Sequence, residues 1–339
     1  MRVGDVAVEV ESDGGPGAVS LRDLPAASRL ELVVEGVTTL PFETLAPSPG
    51  DLGFKFATIN DLHIGADGFG AFFEMKEQEV EELHPVRCAR AAIAEALAWG
   101  AQLLIVKGDL TQSGKPEEWE TVAELLTGVP VPVEVVPGNH DMGSRREIDP
   151  ERALARHGLR VTHGLHLRDV PGLRIVLFDS TVPGHHHGRA AHLQNELTAV
   201  LRRAEGGAFV AMHHFTERLP FSVSYPPGIP GRESWRFLRA VARANPATFI
   251  SSGHTHRNRL RTHGPLYLSQ IGSTKDHPGV WAGYAVYDGG IRQVIRRVAE
   301  PSCIRWTERT RRALGGLWGH LSPGTLRQRC FVVDWPSRP

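Results

Sequence analysis

Between Phe54 and Gly272 five different polar motifs follow one another in order, each directly behind an apolar run of strand length. Phe56-Ala-Thr-Ile-Asn60 leads into Asp61-Leu-His63, and Leu103-Leu-Ile-Val106 leads into Gly108-Asp109. Pro132-Val-Glu-Val-Val136 leads into Gly138-Asn139-His140-Asp141, Ala208–Met212 into His213-His214, and Thr248-Phe-Ile-Ser251 into Gly253-His254-Thr-His256. Apolar residues at helical spacing over Val86–Trp99 and Glu117–Leu126 separate the first three strands. A βαβαβ rhythm predicts right-handed parallel connections, and it places every polar motif at the carboxyl edge of a sheet, where open α/β folds bind their ligands. Leu173–Asp179 reads as a further strand, while Leu266-Tyr-Leu-Ser269 and Ala282–Tyr287 read as antiparallel strands of a second sheet.

The ends differ from this middle. Val6–Val10 and Leu30–Val34 read as short strands joined through the Gly14-Gly-Pro-Gly17 turn, and Pro47-Ser-Pro-Gly50 punctuates the chain before the first motif. The expected division is a β appendage over residues 1–50, the main domain over 51–303 and an Arg-rich tail over 304–339. Lys and Arg together number 38, as do Asp and Glu, so no bulk charge draws the chain to nucleic acid or anionic lipid. Cys88, Cys303 and Cys330 are odd in number and lack ligand spacing, which reads as free thiols in a reducing compartment. With no leader-like segment and no apolar run of spanning length, the expectation is a cytoplasmic protein without a membrane partner.

The polar motifs contain carboxylates, imidazoles and an amide oxygen, the ligands that hard and borderline divalent ions select. Two ions about 3.5–4 Å apart need one group that touches both, and an anionic carboxylate suits that place. Asp109, ending the second strand between the other ligand loops, is the candidate bridge. Asp61 and His63 would hold one ion, Asn139 would offer its carbonyl oxygen to the other, and His213, His254 and His256 would complete the shells. Between the adjacent His213 and His214 the residues themselves do not choose, and the preference for His213 comes from the family resemblance that follows. The chemistry such a centre supports is attack of a metal-activated hydroxide on a phosphoester.

The ordered set D-x-H, GD, GNHD, HH and GHTH resembles the calcineurin-like metallophosphoesterase superfamily over roughly Phe54–Gly272. That resemblance implies a four-layer αββα sandwich of α/β class, with Asp61, His63, Asp109 and His256 on one ion and Asp109, Asn139, His213 and His254 on the other. It also implies that His140 contacts the phosphate or protonates the departing alkoxide without ligating metal, a role that a poor leaving group requires. Asp141 would orient a neighbouring group. The cofactor is then two divalent ions, Mn, Fe or Zn.

Leu110–Trp119 resembles the Gly-Asp-Leu-Thr-x-x-Gly-x-x-x-Glu-Tyr pattern of the class III cyclic-nucleotide phosphodiesterase and glycerophosphodiesterase branch, with Trp119 in place of Tyr. Gln112 stands where purple acid phosphatases carry a Tyr ligand, and Asp141 departs from the Gly-Asn-His-Glu of protein phosphatases. The reading is a phosphodiesterase acting on a small phosphodiester, a cyclic nucleotide being one candidate. The alternatives are a broad-range phosphomonoesterase and a metal-binding scaffold without turnover. A small-molecule phosphoester is the expected partner, nucleic acid is disfavoured, and a homo-oligomer stays open. His185-His186-His187 reads as a solvated loop in preference to a substrate-contacting lid, and His84 and His163 as solvated positions. Phe69–Phe73 reads equally as substrate entrance or as packing.

Overall fold

Two hairpins precede the main body of the computed structural model, which describes residues 6–12, 15–21, 24–34, 38–70, 75–77, 81–221 and 224–336. β1 (Val6–Ser12) pairs with β2 (Gly15–Leu21), and β3 (Arg29–Val34) pairs with β4 (Thr38–Glu43). The turn expected to join Val6–Val10 to Leu30–Val34 instead feeds β2, because Gly15–Leu21 finds its ladder with β1.

The apolar runs form two six-stranded sheets. β5 (Leu52–Ile59) is followed by a two-residue ladder of β6 (Gly68–Phe69) with β7 (Met75–Lys76), then by α1 (His84–Ala98), β8 (Leu104–Lys107), α2 (Pro116–Thr127), β9 (Val133–Val136) and α3 (Pro150–Ala155). β5, β8 and β9 pair in parallel, as the βαβαβ reading requires. β10 (Leu165–Val170), β11 (Leu173–Phe178), α4 (Gln194–Arg202), β12 (Gly207–Met212), α5 (Gly231–Ala244), β13 (Thr248–Ser252), β14 (Arg259–His263) and β15 (Leu266–Gln270) build the second sheet and its helices, in strand order β10-β11-β12-β13-β15-β14. β16 (Val280–Tyr287) and β17 (Gly290–Arg297) return to the first sheet. α6 (Pro301–Thr310), α7 (Trp318–Leu321) and α8 (Leu326–Arg329) then lead to β18 (Cys330–Asp334), giving the first sheet the order β18-β17-β16-β5-β8-β9.

One expectation is corrected. Leu266–Ser269 and Ala282–Tyr287 lie in different sheets: β15 pairs with β13 and β14, whereas β16 pairs antiparallel with β5. Every residue of β16 is buried, which suits a strand covered on both faces inside the first sheet. The segment read as a tail also contributes to this sheet, since β18 pairs with β17.

Side chains from both sheets meet in one apolar layer centred on Phe56, Phe209, Phe249 and Tyr284. Phe56 stacks on Tyr284 at 4.8 Å between ring centroids and meets Phe209 edge-on at 4.9 Å. The outer face of the first sheet packs on α1, α2 and α3, with Cys303 of α6, and that of the second sheet on α4 and α5. The architecture is therefore an αββα sandwich. α2 shows how the sequence sets an element in place. Pro116 occupies its first turn, and the Glu118 carboxylate turns back to accept from the N–H groups of Ser113 at 2.8 Å and Lys115 at 3.3 Å.

Candidate metal centre

At the ends of β5, β8 and β13 the backbone turns sharply to aim side chains across the gap between the sheets. Asp61, His63, Asp109, His254 and His256 all have φ between 48° and 74°, the left-handed region that non-glycine residues seldom enter. Among the described residues only Ala27 and Leu314 share that conformation outside glycine. Strain concentrated on the motif residues is the mark of a site that the surrounding fold over-determines. Gly108 (φ 78°) and Gly138 leave room for the same crossing. A Cβ on Gly108 would meet His213 Nδ1 at 2.3 Å, and one on Gly138 would meet the Asp109 amide nitrogen at 2.2 Å.

The structure brings Asp61, His63, Asp109, Asn139, His213, His254 and His256 to this one place, all buried or nearly so. His63 Nε2 lies 3.1 Å from His256 Nε2, and His213 Nε2 lies 3.1 Å from both His254 Nδ1 and the Asn139 amide oxygen. Asp109 Oδ2 sits between the two sets, 3.6 Å from His63 Nε2 and 3.3 Å from His213 Nε2. Ligand atoms about 2.0–2.1 Å from a shared ion lie roughly 3.0–3.4 Å from one another, so the spacing matches edges of a coordination shell. Asp61 is held by the His254 backbone N–H at 3.0 Å and by the Asn60 side-chain amide at 2.5 Å.

The outward nitrogen of each ring is committed to an oxygen acceptor. His63 Nδ1 faces Gln112 Oε1 at 3.0 Å, His213 Nδ1 the Lys107 carbonyl at 3.2 Å, and His254 Nε2 the Pro227 carbonyl at 3.1 Å. His256 Nδ1 faces Asp276 Oδ2 at 2.5 Å. An acceptor opposite one nitrogen fixes the proton there and leaves the other nitrogen as a lone-pair donor. Two inward lone pairs 3.1 Å apart repel unless a cation or a proton lies between them. The donor set therefore fits a pair of divalent ions.

The electrostatics agree. Burial drives His63 and His254 well below the usual imidazole range, so both are neutral donors. Burial opposes charge on Asp109 too, but the imidazoles around it, His213 foremost, outweigh that and hold it well below the usual carboxylate range. For His213 burial is overcome by the Asp109 carboxylate, which pulls it up to about 9. Without a cation, a proton on His213 thus serves the same carboxylate.

His140 stands at the rim, half-buried, its ring 4.6 Å from that of His63. Its Nδ1 donates to the Gln112 carbonyl at 2.8 Å and its backbone N–H to Asp109 Oδ1 at 2.8 Å. Asp141 accepts from the backbone N–H groups of Gly138, Thr111 and Leu110, and from the Thr111 hydroxyl, so it locks the second and third motif loops together. Burial, then the nearby Asp109 charge, raises it to about 6. His214 turns toward Ser180, whose hydroxyl lies 2.9 Å from its Nδ1.

Sequence reasoning passed over the residues that aim the ligands. Gln112, Lys107, Pro227 and Asp276 each hold a ring, a role that no motif marks, since backbone carbonyls serve at Lys107 and Pro227. Lys107 is fully buried, donating to Ser251 Oγ at 2.9 Å and the Ser252 carbonyl at 3.1 Å, and so ties β8 to β13 beneath the site. In the His185-His186-His187 run, His186 reaches the rim, with Nδ1 3.4 Å from the Asn139 amide, while His185 and His187 lie ring to ring at 5.0 Å. His84 is not a solvated position. It is fully buried, stacked on Trp306 at 3.9 Å and bonded to Glu77 at 3.0 Å. His163 is exposed, as expected. Phe69 packs 5.3 Å from Trp318, and residues 71–74 lie outside the described residues.

The profile of calcineurin-like phosphoesterases matches residues 54–258, and the chain belongs to that family. A probable cyclic nucleotide phosphodiesterase of Rhodococcus erythropolis is 28% identical over 197 residues, covering 55% of this chain and 62% of the relative. The glycerophosphodiester phosphodiesterase GpdQ of Enterobacter lignolyticus is 26% identical over 181 residues, covering 50% of this chain and 62% of its own length. The match thus spans less than two thirds of either relative. Among solved structures, a dimetal phosphatase from Danio rerio superposes with a TM-score of 0.54 at 15% identity, over 74% of this chain and 98% of that one, and shares the fold. No helix among the described residues is long and apolar enough to cross a membrane.

Proposed function

We propose that the chain is a dinuclear metal-dependent phosphodiesterase that hydrolyses a small phosphodiester, with cyclic nucleotides the first candidates. The observation that carries this reading is the pairing of inward imidazole nitrogens on either side of Asp109 Oδ2, each ring fixed from outside by an oxygen acceptor. Asp61, His63, Asp109 and His256 are assigned to one ion and Asp109, Asn139, His213 and His254 to the other, with Asp109 as the bridge. When bound, two such ions acidify water toward neutral pH and neutralise charge on the phosphoryl group.

The chain's own residues do the rest. With Nδ1 donating to the Gln112 carbonyl, His140 presents Nε2 to the leaving oxygen, where a proton makes an alkoxide a tolerable leaving group. Asp141 holds the backbone on either side of Asp109 and Asn139, so that both keep their aim. The names of the two relatives, one acting on cyclic nucleotides and one on glycerophosphodiesters, favour the diester over the monoester.

The test is hydrolysis of bis-p-nitrophenyl phosphate against p-nitrophenyl phosphate by chelator-stripped protein resupplied with Mn²⁺. Faster Mn²⁺-dependent cleavage of the diester is expected. Preference for the monoester would replace the reading with a phosphatase, and two bound metals without turnover would make the chain a scaffold.

A further inference from the structure

Away from the metal centre, a cavity of about 310 Å³ opens between Glu77, α1 and α6, lined by Glu77, Arg87, Ser302, Arg305, Trp306 and Arg309. Ser302, Arg305, Trp306 and Arg309 are spaced i, i+3, i+4 and i+7, so α6 turns one face to it. Nothing in the family motifs accounts for this face.

Its charge is unbalanced. Arg87 is neutralised by Glu77, whose carboxylate lies 2.6 Å from its guanidinium. Arg305 and Arg309 meet no carboxylate among the described residues, and Arg309 has only the Trp306 ring, 5.8 Å away. Among the described lining residues, three guanidinium groups against one carboxylate leave an excess of two positive charges. The Nε–H of Arg87 is also buried without a hydrogen-bond partner among the described residues. Trp306 supplies a rigid aromatic wall, 4% exposed, stacked on His84 and with its indole N–H donating to the Lys275 carbonyl at 2.7 Å. The Lys275-Asp276 segment separates this wall from His256, so the cavity and the metal centre are distinct places.

We propose that this cavity binds a small phosphomonoester, its phosphate clamped by Arg305 and Arg309. A phosphomonoester is close to a dianion at neutral pH and matches the two unbalanced charges, and guanidinium pairs its oxygens in a bidentate fork that a single carboxylate uses less fully. The volume is that of a small-metabolite site. This inference does not rest on the proposed reaction.

The experiment is isothermal titration of the full-length protein with AMP, with and without chelator, alongside the Arg305→Gln/Arg309→Gln variant. Chelator-treated protein is expected to bind one AMP, because this site needs no metal, and to bind adenosine at least tenfold more weakly. The double variant should lose at least tenfold in AMP affinity under chelator while keeping its Mn²⁺-dependent diester hydrolysis, which also shows that it is folded. No AMP binding once the metal is removed, or unchanged affinity in the double variant, would overturn the site. Failure of the phosphodiesterase reading would appear separately, as absent diester hydrolysis with AMP binding intact.

Discussion

The two sheets give the candidate centre different chemistry. Loops of the first sheet carry both carboxylates, Asp61 and Asp109, together with His63 and the Asn139 amide, whereas loops of the second carry only imidazoles, His213, His254 and His256. The candidate carboxylate ligands, and with them the proposed bridge Asp109, thus come from one side. The second sheet closes the site with imidazoles whose outward nitrogens are held from behind by the Lys107 and Pro227 carbonyls and by Asp276. The first side should govern whether a two-metal centre exists at all, and the second how tightly it closes.

Replacing Asp109 by Ala breaks this comparison at its strongest point. Removing the bridge forfeits several kcal/mol of charge stabilisation, so kcat/KM for bis-p-nitrophenyl phosphate should fall by roughly a thousandfold or more, with less than two equivalents of metal retained. His213→Ala, on the other side, should cost about ten- to a hundredfold, since one imidazole of several is lost. Equal losses in the two variants, measured by steady-state kinetics and metal content together, would show that the carboxylate side has no special place. Asp276→Asn sharpens the contrast further. It keeps an acceptor oxygen near His256 Nδ1 but removes the charge, and metal affinity should drop about tenfold, visible as a higher Mn²⁺ concentration for half-maximal activity.

The division between the sheets also explains what could be read from the sequence. Parallel strands buried on both faces are short apolar runs, and a motif directly behind each was legible, because chain order alone places it at the sheet edge. Pairing between distant strands was not. β16 joins β5 across more than two hundred residues, and no local pattern in Val280–Tyr287 distinguishes that partner from β15. The same limit hid the residues that orient the rings. Asp276 stands next to a lysine and a histidine in an unremarkable polar stretch, and it acquires a role only because the turn after β15 brings it to His256. His84 was misread for a related reason. An isolated histidine before Pro85 looks solvated until α6 folds over α1 and covers it with Trp306.

That covered histidine gives the smallest expected effect on turnover and a separate effect on stability. Burial drives His84 down to about 4, against the pull of Glu77. An unfolded histidine binds its proton near pH 6.5, so between those values the unfolded chain holds more protons and acid shifts the equilibrium toward it. The contribution is complete above about pH 6.5 and is lost as pH falls toward 4, on the order of 3 kcal/mol at its full extent. Glu77, held near 2, titrates below this window, whereas His277, also lowered to about 4 by burial, shares it. His84→Phe keeps a ring against Trp306 and removes one of the several buried histidines, His63, His254 and His277 among them, that take up a proton on unfolding in this window. Urea unfolding of chelator-treated protein at pH 7 and pH 5 should therefore show a smaller acid-induced loss in the variant than in the wild type, with diester hydrolysis at pH 7 nearly unchanged. An identical loss would mean that His84 takes its proton in the folded chain, and that the α1–α6 contact opens well before the sandwich beneath it does.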